Sequence, residues 1–107
     1  MNKRIALLMA LTGLAQAGIA ADLTGNAQAG ARKIDMCTGC HAIPGYQTGY
    51  PEVYPVPKIG GQSARYIENA LMEYRRGERR NPGMQGIAKG LSDQDIADVA
   101  AYFSQQK

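Results

Sequence analysis

Cys37-Thr38-Gly39-Cys40-His41 contains both cysteines and the single histidine of the 107-residue chain. Two thiols three residues apart, followed at once by an imidazole, make Cys-x-x-Cys-His, the pattern of covalent haem attachment. The thiols add across vinyl groups that sit about a helical turn apart, and the histidine is placed against the iron as its proximal ligand. Three other readings fit less well. A thioredoxin-like dithiol follows a strand in a βαβ unit, and no strand precedes Cys37. A structural zinc site wants four ligands, whereas the chain offers three. A simple disulfide leaves His41 without a role. One histidine cannot supply two imidazoles to one iron, so a second axial ligand from this chain is of another kind, most naturally a methionine sulfur.

Upstream of the motif the chain divides in two. Lys3 and Arg4 precede a short apolar stretch from Ile5 to Leu14, small residues follow through Ala21, and the first carboxylate is Asp22. This is the layout of a secretory leader, expected over residues 1–21 and cut between residues 17 and 22. An uncleaved membrane anchor is the alternative, but the apolar run falls short of the ~20 residues that a span needs. Export agrees with the motif, because covalent haem attachment takes place on the outer side of the bacterial inner membrane. The periplasm is therefore the expected location, and residues 22–107 the single domain. Without Lys3 and Arg4 the formal charge of +3 becomes +1, ten basic residues against nine acidic. So small an excess is no argument for nucleic acid binding. A domain of 86 residues has a marginal core of its own, which a covalently held haem would complete.

Within that domain the spacing predicts an all-α chain of three to four short helices. Asn26 to Met36, rich in alanine and glycine, reads as a short helix with a small-residue face running into Cys37. His41 to Gln62 holds four of the five prolines together with Tyr46, Tyr50 and Tyr54, so no long regular element is expected there, and no sheet. A loop of this length in a compact domain lies against something, and a haem edge would serve. Ser63 is a natural N-cap for a helix whose apolar face is Tyr66, Ile67, Ala70, Leu71 and Tyr74, stopped at Gly77. Asn81-Pro82-Gly83 reads as a turn that delivers Met84 from a loop. Ser92 and Asp95 open the last helix as a capping box, and Ile96, Val99, Ala100 and Phe103 make its apolar face.

Met84, 43 positions beyond His41, is the methionine that fits the sixth position. Met1 and Met9 leave with the leader, Met36 adjoins the attachment cysteine, and Met72 lies off the best apolar face of its helix. Methionine opposite histidine raises the reduction potential. The second ring nitrogen of His41 requires an acceptor, and a backbone carbonyl of the proline-rich loop is the natural one. The tyrosines either bond a propionate or cap an apolar edge. Arg75, Arg76, Arg79 and Arg80 are either a solvated helix end or a functional cluster, a propionate partner or a docking patch for an acidic redox protein, with Arg79 and Arg80 closest to Met84. Tyr54 and Arg79 are the expected pocket contacts.

From Gly30 to Phe103 the chain resembles the class I c-type cytochromes, and above all the small bacterial periplasmic type and the halves of diheme cytochromes c. The resemblance rests on Gly30-Ala-Arg-Lys-Ile34, Pro57-Lys-Ile-Gly-Gly-Gln62, Asn81-Pro-Gly-Met84 and Leu91-Ser-Asp-Gln-Asp-Ile-Ala-Asp-Val-Ala-Ala-Tyr102. It implies the cytochrome c fold around one covalent haem c held by Cys37 and Cys40. It also implies His41 and Met84 as axial ligands, the Pro57 carbonyl as acceptor for His41, and a close crossing of the first and last helices near Gly30. The chain departs from the pattern in having one haem motif, which leaves pairing into a homodimer open, and in the proline and tyrosine content of residues 44–57.

The expected function is electron transfer by one haem cycling between Fe(III) and Fe(II), with redox proteins as transient docking partners. Such a protein binds no small-molecule substrate and is not an enzyme. The alternative is a haem subunit held permanently by a larger periplasmic oxidoreductase. An open-iron peroxidase or sensor needs the sixth position free, which Met84 argues against.

Overall fold

The computed structural model describes residues 23–49 and 53–106. The expected leader, and Tyr50 and Pro51 of the loop, lie outside them. Five helices and one small sheet make up the described chain: α1 Ala27–Gly30, α2 Asp35–His41, β1 Gln47–Thr48, β2 Tyr54–Pro55, α3 Ala64–Arg76, α4 Pro82–Lys89 and α5 Asp93–Ser104. The chain is mostly helical, as expected, with more helices than the three to four predicted. One extra element comes from contact with α5, the other from local capping.

The predicted helix over 26–36 is two helices. Asn26 caps α1 by accepting from the Ala29 amide at 2.9 Å. After Gly30 the backbone tightens into three-residue turns, with Arg32 N donating to Ala29 O and Lys33 N to Gly30 O. The bend buries Ile34 in the core and carries Lys33 across to α5, where it pairs with Asp95 and Asp98. The attachment motif therefore sits within a helix of its own rather than after one.

The predicted turn at 81–83 is the start of α4. Asn81 Oδ1 accepts from the Met84 amide at 3.1 Å, and Pro82 occupies the first helical turn, where its missing N–H is no loss. The same three residues that stop one helix begin the next. The expectation of no sheet is corrected too. Gln47 pairs with Pro55 and Thr48 with Tyr54 in an antiparallel ladder, an edge position that tolerates proline.

α3 and α5 follow the periodicity read from the sequence. Ser63 caps α3 at the Tyr66 amide, and Gly77 closes it in the left-handed conformation, φ 77°. Ser92 and Asp95 form the capping box of α5. Ile67, Leu71 and Tyr74 of α3 meet Ile96, Val99, Ala100 and Phe103 of α5 in one core, which also takes Ile34 and Ala88. Burying a side chain such as Ile96 in full contributes about 1.5–3 kcal/mol.

α1 crosses α5 so closely that only glycine fits. A Cβ on Gly30 would lie 2.7 Å from the carbonyl carbon of Asp98 and 2.9 Å from Cβ of Tyr102. Asp98, 2% exposed, seals this seam. Its Oδ1 accepts from Asn26 N at 2.8 Å and Gln94 Nε2 at 2.9 Å, and its Oδ2 from Lys33 Nζ at 2.7 Å. Such bonds, led by that from Lys33, hold the Asp98 carboxyl below the ordinary carboxylate range.

Candidate functional site

The side chains singled out by the sequence gather around one cavity of about 270 Å³. A single water needs only about 10–15 Å³ of such space, so this is room for a large body and no packing defect. Cys37, Cys40, His41, Tyr54, Pro57, Arg79 and Met84 all line it, among apolar residues that include Val56, Ile59, Leu71, Val99 and Phe103. Every residue proposed for the site from sequence is on this wall.

α2 explains the first cluster. Cys37, Cys40 and His41 stand at i, i+3 and i+4, the spacing that puts side chains on one helix face. Both cysteines are free thiols of intermediate burial. Burial pushes the Cys37 thiol above its ordinary value, which keeps it protonated and unlike the thiolate of a reactive dithiol. Among the described residues no three His, Cys, Asp or Glu side chains converge to hold a metal ion. The zinc alternative therefore gains nothing from the fold.

His41 Nδ1 donates to the carbonyl oxygen of Pro57 at 2.6 Å. A carbonyl can only accept, so Nδ1 carries a proton, and Nε2 is the nitrogen whose lone pair the neutral imidazole would offer to iron. The loop carrying Pro57 is held in turn by the end of α5. Gly61 N donates to Phe103 O at 2.9 Å, and Gly61 takes a positive φ of 82° there.

Met84 reaches the wall from the first turn of α4, where Asn81 caps its amide. Asn81 thus fixes the backbone of the methionine, a positioning role legible only once Asn81-Pro82 is read as a helix start. The two other methionines among the described residues are placed differently from Met84. Met72 packs against the core, and Met36 lies at the cavity, 69% exposed, next to Cys37.

The four arginines separate. Arg75 binds the Leu91 carbonyl and Asp93, tying α3 to the start of α5, and Arg76 pairs with Glu78. Of the four, only Arg79 lies on the wall. Sequence reasoning left Tyr66 undecided and passed over Lys58, both of which line the cavity. The position of Lys58 directly after Pro57 was the available signal.

Two thiols and an imidazole on one helix face, a ring nitrogen left free to bind metal, a thioether on the same wall and an apolar cavity suit a covalently held haem. A mostly helical chain built around such a site is a haem protein of the c type. The chain belongs to the cytochrome c family, whose sequence profile matches residues 27–107. It therefore carries haem c in covalent linkage. It is similar to cytochrome c-554(548) of Halomonas halodenitrificans, 44% identical over 86 residues, a match covering 78% of this chain and 99% of that one. It is also similar to cytochrome c4 of Pseudomonas aeruginosa, 39% identical over 110 residues, 100% of this chain and 50% of that protein. The crystal structure of reduced recombinant cytochrome c4 from Pseudomonas stutzeri superposes with a TM-score of 0.63 at 36% identity, over 78% of this chain and 47% of that one. The chain thus spans about half the length of the cytochrome c4 proteins it matches.

Proposed function

We propose that the protein is an exported, periplasmic electron carrier with one haem c, axially bound by His41 and Met84, that transforms no substrate. The observation that carries this reading is the bond from His41 Nδ1 to the Pro57 carbonyl, 2.6 Å long, on a wall shared with Met84. Haem c supplies an iron that accepts and releases one electron. Cys37 and Cys40 are the points of attachment, one helical turn apart on α2. Pro57 orients the imidazole and raises its basicity, while the Asn81 cap holds Met84 in reach. Ile59, Leu71, Val99 and Phe103 keep water from the site. With His41 and Met84 both holding the iron, the chain would leave no coordination site for a substrate. Tyr54 and Arg79 are the contacts at the cavity edge.

Partners dock at the cavity mouth, where Met36 and Tyr66 are 69% and 50% exposed. These apolar side chains, with Ile43 and Val53 nearby in the sequence and also exposed, equally suit a permanent place in a larger oxidoreductase. Copurification from the native periplasm separates a transient carrier from a fixed subunit.

The test of the ligand set is the absorption spectrum of the exported protein, oxidised and reduced, with and without carbon monoxide. A low-spin haem c spectrum indifferent to the gas is expected. Met84→Ala should open the iron, giving a high-spin ferric spectrum and carbon monoxide binding. A variant that keeps the low-spin spectrum would show that Met84 is not the ligand.

A further inference from the structure

The loop from Ala42 to Gln62 is bonded mostly to itself. Val56 N donates to Tyr46 O at 2.9 Å, and the short ladder pairs residues 47–48 with 54–55. Among the described residues, one backbone bond joins this loop to a distant helix, from Gly61 N to Phe103 O at 2.9 Å. Phe103 lies in the last turn of α5, where carbonyls take partners from outside the helix. The approach demands glycine twice over. Gly61 has φ 82°, and a Cβ there would lie 3.0 Å from Gln106 O. Gly60 passes as near, its added Cβ 3.2 Å from Cβ of Gln106. Phe103 itself is fixed by packing. Its ring is 7% exposed, lines the cavity and meets Tyr102 edge-on at 5.2 Å. On the near side of the anchor, Pro57 O accepts from His41 Nδ1 at 2.6 Å, and Ile59, between the two, packs against the core.

We infer that Gly61 is a positioning residue for electron transfer: by fastening the loop to α5 it holds the Pro57 carbonyl against His41, and so keeps the reduction potential low. This rests on the reading of His41 as an iron ligand and deepens it. A carbonyl that accepts from Nδ1 makes the imidazole more basic. A more basic ligand favours Fe(III), and hydrogen bonding behind an axial ligand is one of the levers on a haem potential. Such a bond weakens steeply once its length or angle is lost. Only Lys58, Ile59 and Gly60 separate the carbonyl from the anchor, too short a span to absorb a shift at Gly61. Phe103 thus serves the site twice, with its ring on the cavity wall and its carbonyl behind the proximal loop.

Gly61→Ala makes a signed prediction. The new methyl is strained in the left-handed backbone and crowds Gln106 O. The loop either bears that strain or moves off α5, and both responses loosen the bond at His41. The iron then loses part of the donation that favours its ferric state, so the potential rises.

The experiment follows exchange of the His41 ring proton in isotope-labelled, reduced holoprotein by nuclear magnetic resonance, together with spectroelectrochemistry. His41 is the only histidine of the chain, so the signal has a single origin. Exchange in Gly61→Ala should be roughly 5–30-fold faster, the factor to which the strain of one left-handed alanine corresponds, and the potential should be higher. Gly77→Ala is the control for strain alone: Gly77 has φ 77° at the end of α3, and only Gln85 comes near its added Cβ. Its ring-proton exchange should match that of the natural protein. Unchanged exchange in Gly61→Ala, equal acceleration in Gly77→Ala, or faster exchange without a higher potential would overturn the assignment. A ring proton too labile to observe in the natural holoprotein would overturn it as well. Where Gly61→Ala yields no holoprotein, Gly61→Asn takes its place, since asparagine tolerates the left-handed backbone but keeps the crowding. A smaller acceleration is expected there, and none would overturn the inference. Absence of covalent haem from the natural protein would sink the haem reading itself, a failure distinct from any change in exchange.

Discussion

Gly30→Ala tests the seam on which the rest of the fold is aligned. The added methyl would lie 2.7 Å from the Asp98 carbonyl carbon and 2.9 Å from Tyr102 Cβ. Ordinary contact begins near 3.4 Å, so α1 must withdraw from α5 by at least roughly 0.7 Å at that carbon, and by more at the Asp98 carbonyl oxygen, which the methyl meets first. A gap of about 0.5–1 Å forfeits a quarter to a half of the dispersion energy of each contact it opens. Overpacking of this kind costs about 1–3 kcal/mol. The bonds of Asp98 to Asn26 and Lys33 cross the same seam, and weakening them adds about 1 kcal/mol. Against this stands the gain from replacing a helical glycine by alanine, at most about 1 kcal/mol. The net loss is about 2 kcal/mol, which for a domain of this size lowers Tm by about 8–16 °C. Gly86 supplies the control. It is exposed in the middle of α4 with nothing within 4 Å of its added Cβ, so Gly86→Ala should raise stability by up to about 1 kcal/mol. Thermal unfolding of both holoprotein variants, followed by far-ultraviolet circular dichroism, reads the two signs. Gly30→Ala as stable as the natural protein would refute the close crossing.

The same seam predicts a response to acid. Asp95 is held down to about 2, mainly by Lys33 and then by Ser92, and Asp98 is lowered by Lys33 and then by the Asn26 amide. Their contribution is present above the unfolded carboxylate value near 3.9 and fades as pH falls from about 4 towards 2. Urea midpoints across that range should fall, and fall less steeply in Lys33→Gln; equal slopes would show that Lys33 is not the cause. Asp98→Ala leaves the Asn26 N–H without its acceptor and Lys33 with Asp95 alone, a loss of about 1–3 kcal/mol. Asp98→Asn retains an acceptor for Asn26 and should rank between it and the natural protein in denaturant unfolding.

What the sequence disclosed follows from where the information lies. α3 and α5 were legible because each carries its own cap and an apolar face at helical spacing: Ser63 with Ile67, Leu71 and Tyr74, and Ser92 with Ile96, Val99 and Phe103. The break after Gly30 was not, because it is set by Lys33 reaching acids 62 and 65 positions away, which no local pattern contains. The start of α4 was written in Asn81-Pro82, but the same pair also suits a turn. The ladder of 47–48 with 54–55 arises between prolines, where periodicity is uninformative. The site was more legible than the fold, since Cys37, Cys40 and His41 are fixed by chemistry rather than by packing. Its periphery was not, because a tyrosine or arginine in a loop carries no periodicity to say which way it faces. The structure also shows why the two problems are one. Ile67, Leu71, Tyr74, Val99 and Phe103 belong both to the core and to the cavity wall. Helices α3 and α5 thus meet one another on one side and leave an apolar space on the other that their own side chains do not fill. A chain with so small a core closes fully only when that space is occupied, so folding and haem attachment draw on the same residues, and a substitution at Val99 or Phe103 should weaken both together.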